Sequence, residues 1–184
     1  FSMYKLIILP DDITLGPDLA GKFSKYLASG GKIIMSGTSG MTPDLSGFAL
    51  ETPWRQAGEC QLVPGYLLVR PGLDKDLPQS PFVTYRKFWR LEPGGAEILA
   101  ESRMPFFNRE WNHFSSHQHT PFDPAPPELP AAVVASDNIA YVAFPIFEAY
   151  FDIGQPLMKY LFRGLVRKLL PNPSLQVKMP SSGR

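Results

Sequence analysis

The first forty residues carry three successive hydrophobic patterns. Leu6-Ile7-Ile8-Leu9 is an unbroken apolar run closed by Pro10, the pattern of a parallel strand buried on both faces. Gly16-Pro17-Asp18 then opens a helix. Proline suits the first helical position, where its missing N–H would be unpaired anyway, and Asp18 sits at the positive end of the helix dipole. Leu19, Phe23, Tyr26 and Leu27 recur at helical spacing, and Gly30-Gly31 ends the helix in the left-handed cap conformation. A second apolar strand follows over 32–35. The unit predicts a right-handed βαβ crossover in a parallel sheet. Ligands in such folds sit beyond the carboxyl ends of the strands, which here are Pro10-Asp11-Asp12 and the segment 36–40.

The rest of the chain is more broken. Residues 42–56 read as a loop, interrupted by Pro43, Gly47 and Pro53, with Phe48, Leu50 and Trp54 folding back on the core. A strand is expected over 60–70 with a bend at Gly65, and a polar turn-rich loop over 71–81. Residues 82–91 alternate well enough to predict one strand. Glu92-Pro93-Gly94-Gly95 is a tight turn that would join it to a strand over 96–106 as an antiparallel hairpin. Residues 108–130 have no period and form the long loop. Short strands are expected over 131–135 and 139–144, around the turn Ser136-Asp137-Asn138. A second clear helix spans 155–170, with Leu157, Leu161, Leu165 and Leu169 on one face and Arg163, Arg167 and Lys168 toward its end. A last strand over 175–177 and a frayed tail over 180–184 complete the reading.

Composition narrows the function classes. A chain of 184 residues fits one domain with a sizeable core. A net charge of +1 argues against a broad grip on nucleic acid or on an anionic membrane. No apolar run is long enough to span a bilayer. Cys60 is the single cysteine, so no internal disulfide forms, which fits a reducing compartment and a cytoplasmic location. The 20 prolines, interleaved with aromatics, indicate long ordered loops rather than disorder. The chain opens almost directly on an inner-looking strand, so a piece of a longer protein is expected, with one domain over 4–180.

The conspicuous chemistry lies in Trp111-Asn112-His113-Phe114-Ser115-Ser116-His117-Gln118-His119-Thr120-Pro121, which holds all three histidines of the chain. Imidazoles at this spacing can chelate a divalent metal. More in keeping with a loop, they can hold a polyol ligand or an interface together with Trp111 and Asp123, or pin an irregular backbone by bonding its carbonyls. Ser36-Gly37-Thr38-Ser39-Gly40 could cradle a phosphate, but it lacks a dinucleotide glycine pattern and a Walker lysine. Asp11 and Asp12 are adjacent and point apart, so turn and cap chemistry is the better reading. Cys60 leads into a strand rather than standing on a strand-to-helix elbow, and reads as packing. Glu110, Glu148 and Asp152 have no spacing that marks an acid/base pair. No catalytic residue, cofactor or resident metal is assigned.

The opening block, YKLIILPDDITLGPDLAGKFSKYLASGGKIIMSG, resembles the beta-galactosidase trimerisation domain, a flavodoxin-like relative of the class I glutamine amidotransferases. The later stretches PFFNREWNHFSSHQHTP, AVVASDNIAYVAFPIFEAY and LLPNPSLQV are similar to the carboxyl-terminal part of bacterial hypothetical glycosyl hydrolases. The resemblance implies a three-layer α/β domain with a parallel sheet core and an antiparallel hairpin. It also implies a non-catalytic accessory role, a homo-oligomer (dimer or trimer), and a TIM-like barrel domain as partner, with a carbohydrate near the loop 108–123. No residue matches the amidotransferase cysteine. The rival readings are a small hydrolase or a sugar- or metal-binding module using His113, His117 and His119.

Overall fold

A computed structural model describes residues 3–173. Seven strands form one sheet in the order β1-β2-β9-β8-β7-β4-β5, and β3 and β6 form a separate pair. The strands of the large sheet are β1 (Leu6–Leu9), β2 (Lys32–Ser36), β4 (Tyr66–Val69), β5 (Phe82–Val83), β7 (Glu97–Arg103), β8 (Ala131–Ala135) and β9 (Ile139–Val142). The small pair is β3 (Arg55–Glu59) and β6 (Trp89–Glu92). The helices are α1 (Pro17–Ala28), α2 (Ile146–Ile153) and α3 (Pro156–Leu169).

The predicted β1-α1-β2 unit is present, and β1 and β2 run parallel with Leu6 opposite Lys32 and Leu9 opposite Met35. β2 pairs parallel with β9. From β9 onward every pairing in the large sheet is antiparallel. The domain is therefore mixed α/β, and its parallel part is confined to β1, β2 and β9. β1 corrects the sequence reading: among the described residues it is an edge strand with one neighbour, and Ile8 is exposed rather than buried. An unbroken apolar run does not distinguish an inner strand from an edge strand with one half-covered face.

The core sits around the sheet centre. Every residue of β8 and β9 is buried, and in β2 only Lys32 escapes full burial, so both faces are covered there. α3 packs against β2 and β9, and β6 packs against β8. Leu161, Leu165 and Leu169 supply the buried stripe of α3, as the leucine spacing predicts. The loop 42–54 folds back as expected. Trp54 stacks on Tyr141 with ring centroids 6.3 Å apart, and Phe48 meets the same ring edge-on at 4.8 Å.

Three further expectations change. Residues 60–65 are not strand, with bends over 61–64, and only 66–69 pair. Residues 82–91 are not one strand: β5 is two residues long, Tyr85 takes φ 60°, and pairing resumes at Trp89. The turn 92–95 does not close a hairpin, because β6 pairs with β3 while β7 lies between β4 and β8. Alternation reports which faces a segment buries, not which neighbour it bonds. α2 was not anticipated, although Pro145 before it and Gly154 after it, at φ 61°, are ordinary helix boundary signals. The strand and tail expected over 175–184 lie outside the described residues.

Candidate functional site

Two places carry polar side chains that the sequence singled out. The first is the cleft beyond the carboxyl ends of β1 and β2. The chain leaves β1 through Pro10, and Asp11 takes φ 43°, a left-handed conformation uncommon for a non-glycine residue. Several bonds hold it there. Ser36 Oγ donates to Asp11 Oδ1 at 2.6 Å and accepts from the Asp11 N–H at 3.0 Å. The Asp11 carboxylate also accepts from the backbone N–H of Glu148 at 2.7 Å and of Phe147 at 3.4 Å. Asp11 thus caps the first turn of α2, where the unpaired N–H groups and the helix dipole favour a negative charge. This agrees with the cap role read from its sequence position. Gly37 takes φ 58°, and a Cβ there would collide with the Asp11 carbonyl oxygen. The two strand-end loops therefore interlock at a position only glycine fits.

The same loops settle the phosphate question. Gly37 N–H donates to Val142, Thr38 N–H to Asp11, Ser39 N–H to Ser36 and Gly40 N–H to Ile13, at 2.6–3.1 Å. A phosphate cradle needs such groups free, and here they are committed to the fold. The cleft itself measures about 620 Å³. Asp12, Thr38, Glu59, Lys87, Trp89 and Glu148 line it, with Arg86 at its side. Arg86 pairs with Asp152 and lies 3.6 Å from Glu148. Lys87 lies 3.9 Å from Glu59. Sequence reasoning missed Glu59, Arg86, Lys87 and Trp89 as one group. The turn at Tyr85 that separates Arg86 from a regular strand leaves no periodic signature.

Replacing Asp11 with alanine removes the α2 cap. The expected cost is about 1–2 kcal/mol, read as a lower urea midpoint with an unchanged m value.

The second place is the loop 106–123. Its base is tied down. Asn108 accepts from the Val63 N–H at 2.7 Å and donates to the Gln61 carbonyl at 2.8 Å. Tyr66 Oη donates to the Thr120 carbonyl at 2.7 Å, and Arg109 donates to the Gln118 carbonyl. Its far part is open: Trp111 is 90% exposed and Phe114 65% exposed. The histidines go to separate neighbours. His113 stacks on Phe107 at 3.8 Å, His119 meets the edge of Tyr85 at 5.0 Å, and His117 is exposed. Asp123 is half-buried, and its carboxylate accepts from the Ala125 N–H at 2.9 Å, a local turn. Among the described residues no group of three or more histidine, cysteine or acidic side chains is placed to hold a metal ion. Cys60 is half-buried and packs against the core, and burial pushes its thiol up, away from the thiolate a nucleophile needs.

No family model matches the chain, and no curated protein does. Solved structures do. The chain is 30% identical to alpha-L-fucosidase isoenzyme 2 from Paenibacillus thiaminolyticus, with a TM-score of 0.85 over 92% of this chain and 25% of that one. A cold-adapted beta-galactosidase from Rahnella sp. R3 matches at 15% identity and a TM-score of 0.63, over 97% of this chain and 24% of that one. A putative ThuA-like protein from Bacteroides uniformis matches at 16% identity and a TM-score of 0.55, over 90% of this chain and 70% of that one. The last two show likeness of fold. The chain spans about a quarter of the length of the glycoside hydrolases it matches. The likeness to a domain carried within glycoside hydrolases, read from the sequence, therefore stands.

Proposed function

We propose, from the premise that this chain is a domain of the kind glycoside hydrolases carry, that it is a non-catalytic, oligomer-forming accessory domain of a bacterial, cytoplasmic glycoside hydrolase-like protein. The observation that carries the reading is the match to the fucosidase, close over 92% of this chain yet confined to a quarter of the enzyme. In this reading the catalytic carboxylates belong to a TIM-like barrel partner. The layering is assigned to the three-layer flavodoxin-like, class I glutamine amidotransferase-like type, supported by the cover on both faces of β2, β8 and β9.

The exposed aromatics support a contact role. Trp111 and Phe114 on the loop, and Phe151 (89% exposed), Tyr150 and Ile153 on α2, leave apolar surface open that a partner would cover. The two patches are linked: Arg86 pairs with Asp152 of α2, and the adjoining Tyr85 meets His119 of the loop. We assign α2 to the interface between copies. The loop, with Trp111, His113, His117, His119 and Asp123, is assigned to the edge of a neighbouring carbohydrate active site. Phe151→Ser and Trp111→Ser separate these roles in analytical ultracentrifugation. Phe151→Ser is expected to weaken self-association about tenfold or more, as loss of a central aromatic anchor does, while Trp111→Ser leaves it within about twofold. Equal association of Phe151→Ser and the parent chain would overturn the assignment.

A further inference from the structure

We propose that the cleft beyond the carboxyl ends of β1 and β2 binds a small neutral sugar, at a site separate from the histidine loop. Its volume of about 620 Å³ lies within the range of small-molecule sites. The strand-end loops give it Asp12 and Thr38, the end of β3 gives Glu59, the run from Arg86 into β6 gives Lys87 and Trp89, and the start of α2 gives Glu148. Pro10 and Pro145 add apolar wall beside the half-buried Trp89, while Phe88 is buried beneath.

The chemistry of the rim selects the ligand class. An anion is disfavoured on two counts. The backbone N–H groups of the 36–40 loop are bonded within the fold, and the N-terminus of α2 is already occupied by the Asp11 carboxylate. Asp12, Glu59 and Glu148 also outnumber the rim cations Arg86 and Lys87, and Arg86 is engaged by Asp152. A metal ion is disfavoured because the described carboxylates do not converge into a ligand set. What remains is a ligand whose hydroxyls donate to carboxylates and accept from Lys87 and Thr38, with a C–H face to lie on Trp89. Sugar hydroxyls do both, since each is a donor and an acceptor. The Glu59–Lys87 pair, at 3.9 Å and half-exposed, is loose enough to admit a hydroxyl between its members. Glu148 is likewise open, with its side chain 59% exposed.

Among the described residues, two of the three non-glycine positions with positive φ lie at or beside the cleft, the third being Leu45 in the loop 42–54. Asp11 at φ 43° lines the cleft and fixes the start of α2, and Tyr85 at φ 60° directly precedes the lining residues Arg86 and Lys87. Such strain clusters at binding sites, where the surrounding structure holds it in place.

The test is a titration of isotope-labelled protein with D-galactose and with L-fucose, followed by backbone amide NMR shifts. At least one sugar is expected to saturate shifts at Thr38, Lys87 and Trp89 with a dissociation constant of about 1–10 mM, the range for a small polar ligand. Lys87→Met and Glu148→Gln, both surface changes that leave the core untouched, are each expected to weaken that binding about tenfold. Inorganic phosphate is expected to leave the same amides unmoved. Three outcomes overturn the proposal: no saturable shift for either sugar up to about 100 mM, saturation that falls on 111–119 and survives Lys87→Met, or phosphate binding tighter than both sugars. The inference does not depend on self-association. A monomer that binds sugar in this cleft would retain it while ending the oligomer reading.

Discussion

Replacing Trp54 with alanine is expected to cost about 3–5 kcal/mol, the range for emptying a buried Trp site. Trp54 is 1% exposed, stacks on Tyr141 and meets Phe48 edge-on at 6.1 Å. It closes the side of the sheet that the loop 42–54 covers, so its loss leaves a cavity over the centre of β9 and removes the anchor of that loop. A domain of ordinary stability holds about 5–15 kcal/mol in all, so the variant loses a large share. Trp54→Phe is the discriminating control. The indole Nε1 is buried without a hydrogen-bond partner among the described residues, so phenylalanine removes an unsatisfied donor while keeping most of the ring. That variant is expected to lose less than about 2 kcal/mol. Urea unfolding checks both, with m unchanged if the native fold is retained. Equal losses in the two variants would mean that the indole edge, not the ring area, carries the contact.

The second large effect is at Asp74, whose side chain is fully buried under α3. It accepts a two-pronged contact from Arg163, with Nε at 2.7 Å and a terminal nitrogen at 2.5 Å, and the N–H of Asp76 at 3.0 Å. Arg167 approaches at 3.5 Å. These donors tie the loop 71–77 to α3, and Gly164 lets the helix come close enough, since a Cβ there would press on Leu73. Asp74→Ala is expected to cost about 2–3 kcal/mol. This is less than the ~3–5 kcal/mol of a fully buried pair, because both arginines keep contact with water. The pH dependence follows from the same contacts. The Arg163 bond, against the opposing effect of burial, holds the Asp74 carboxyl below its ordinary value of 3.8. A carboxyl depressed in the folded state binds protons more readily when unfolded. Its contribution is therefore complete above about pH 4 and is lost as pH falls through the lower, folded value. Melting curves of the parent and Asp74→Ala should differ fully at pH 7 and converge in acid; a gap that persists unchanged at pH 2 would contradict the charge-based account.

How far the sequence reached depends on what each element rests on. α1 and α3 were legible because proline openings and apolar stripes are local signals, and the structure places both within a residue or two of the expected ends. The hairpin β8–β9 was legible through its Asp-Asn turn. The mixed sheet was not, since the partners of β6 and β7 are chosen by contacts across the whole chain and leave no mark between 89 and 103. β3, with the sequence Arg-Gln-Ala-Gly-Glu, has no apolar alternation and is held as strand by pairing with Trp89 and Leu91. At the candidate sites the reverse holds. The histidines draw notice by clustering in sequence, and the structure sends them to separate neighbours, His113 to Phe107 and His119 to Tyr85, with His117 exposed. Glu59, Lys87 and Glu148 drew none as a group, being far apart in the chain, yet they share one cleft.

Light scattering on the purified chain across a concentration series tests the central claim most directly. The account predicts a mass of two or three chains, each of 20.5 kDa, that holds steady on dilution through the micromolar range. A mass of one chain at every concentration would contradict an oligomer-forming domain.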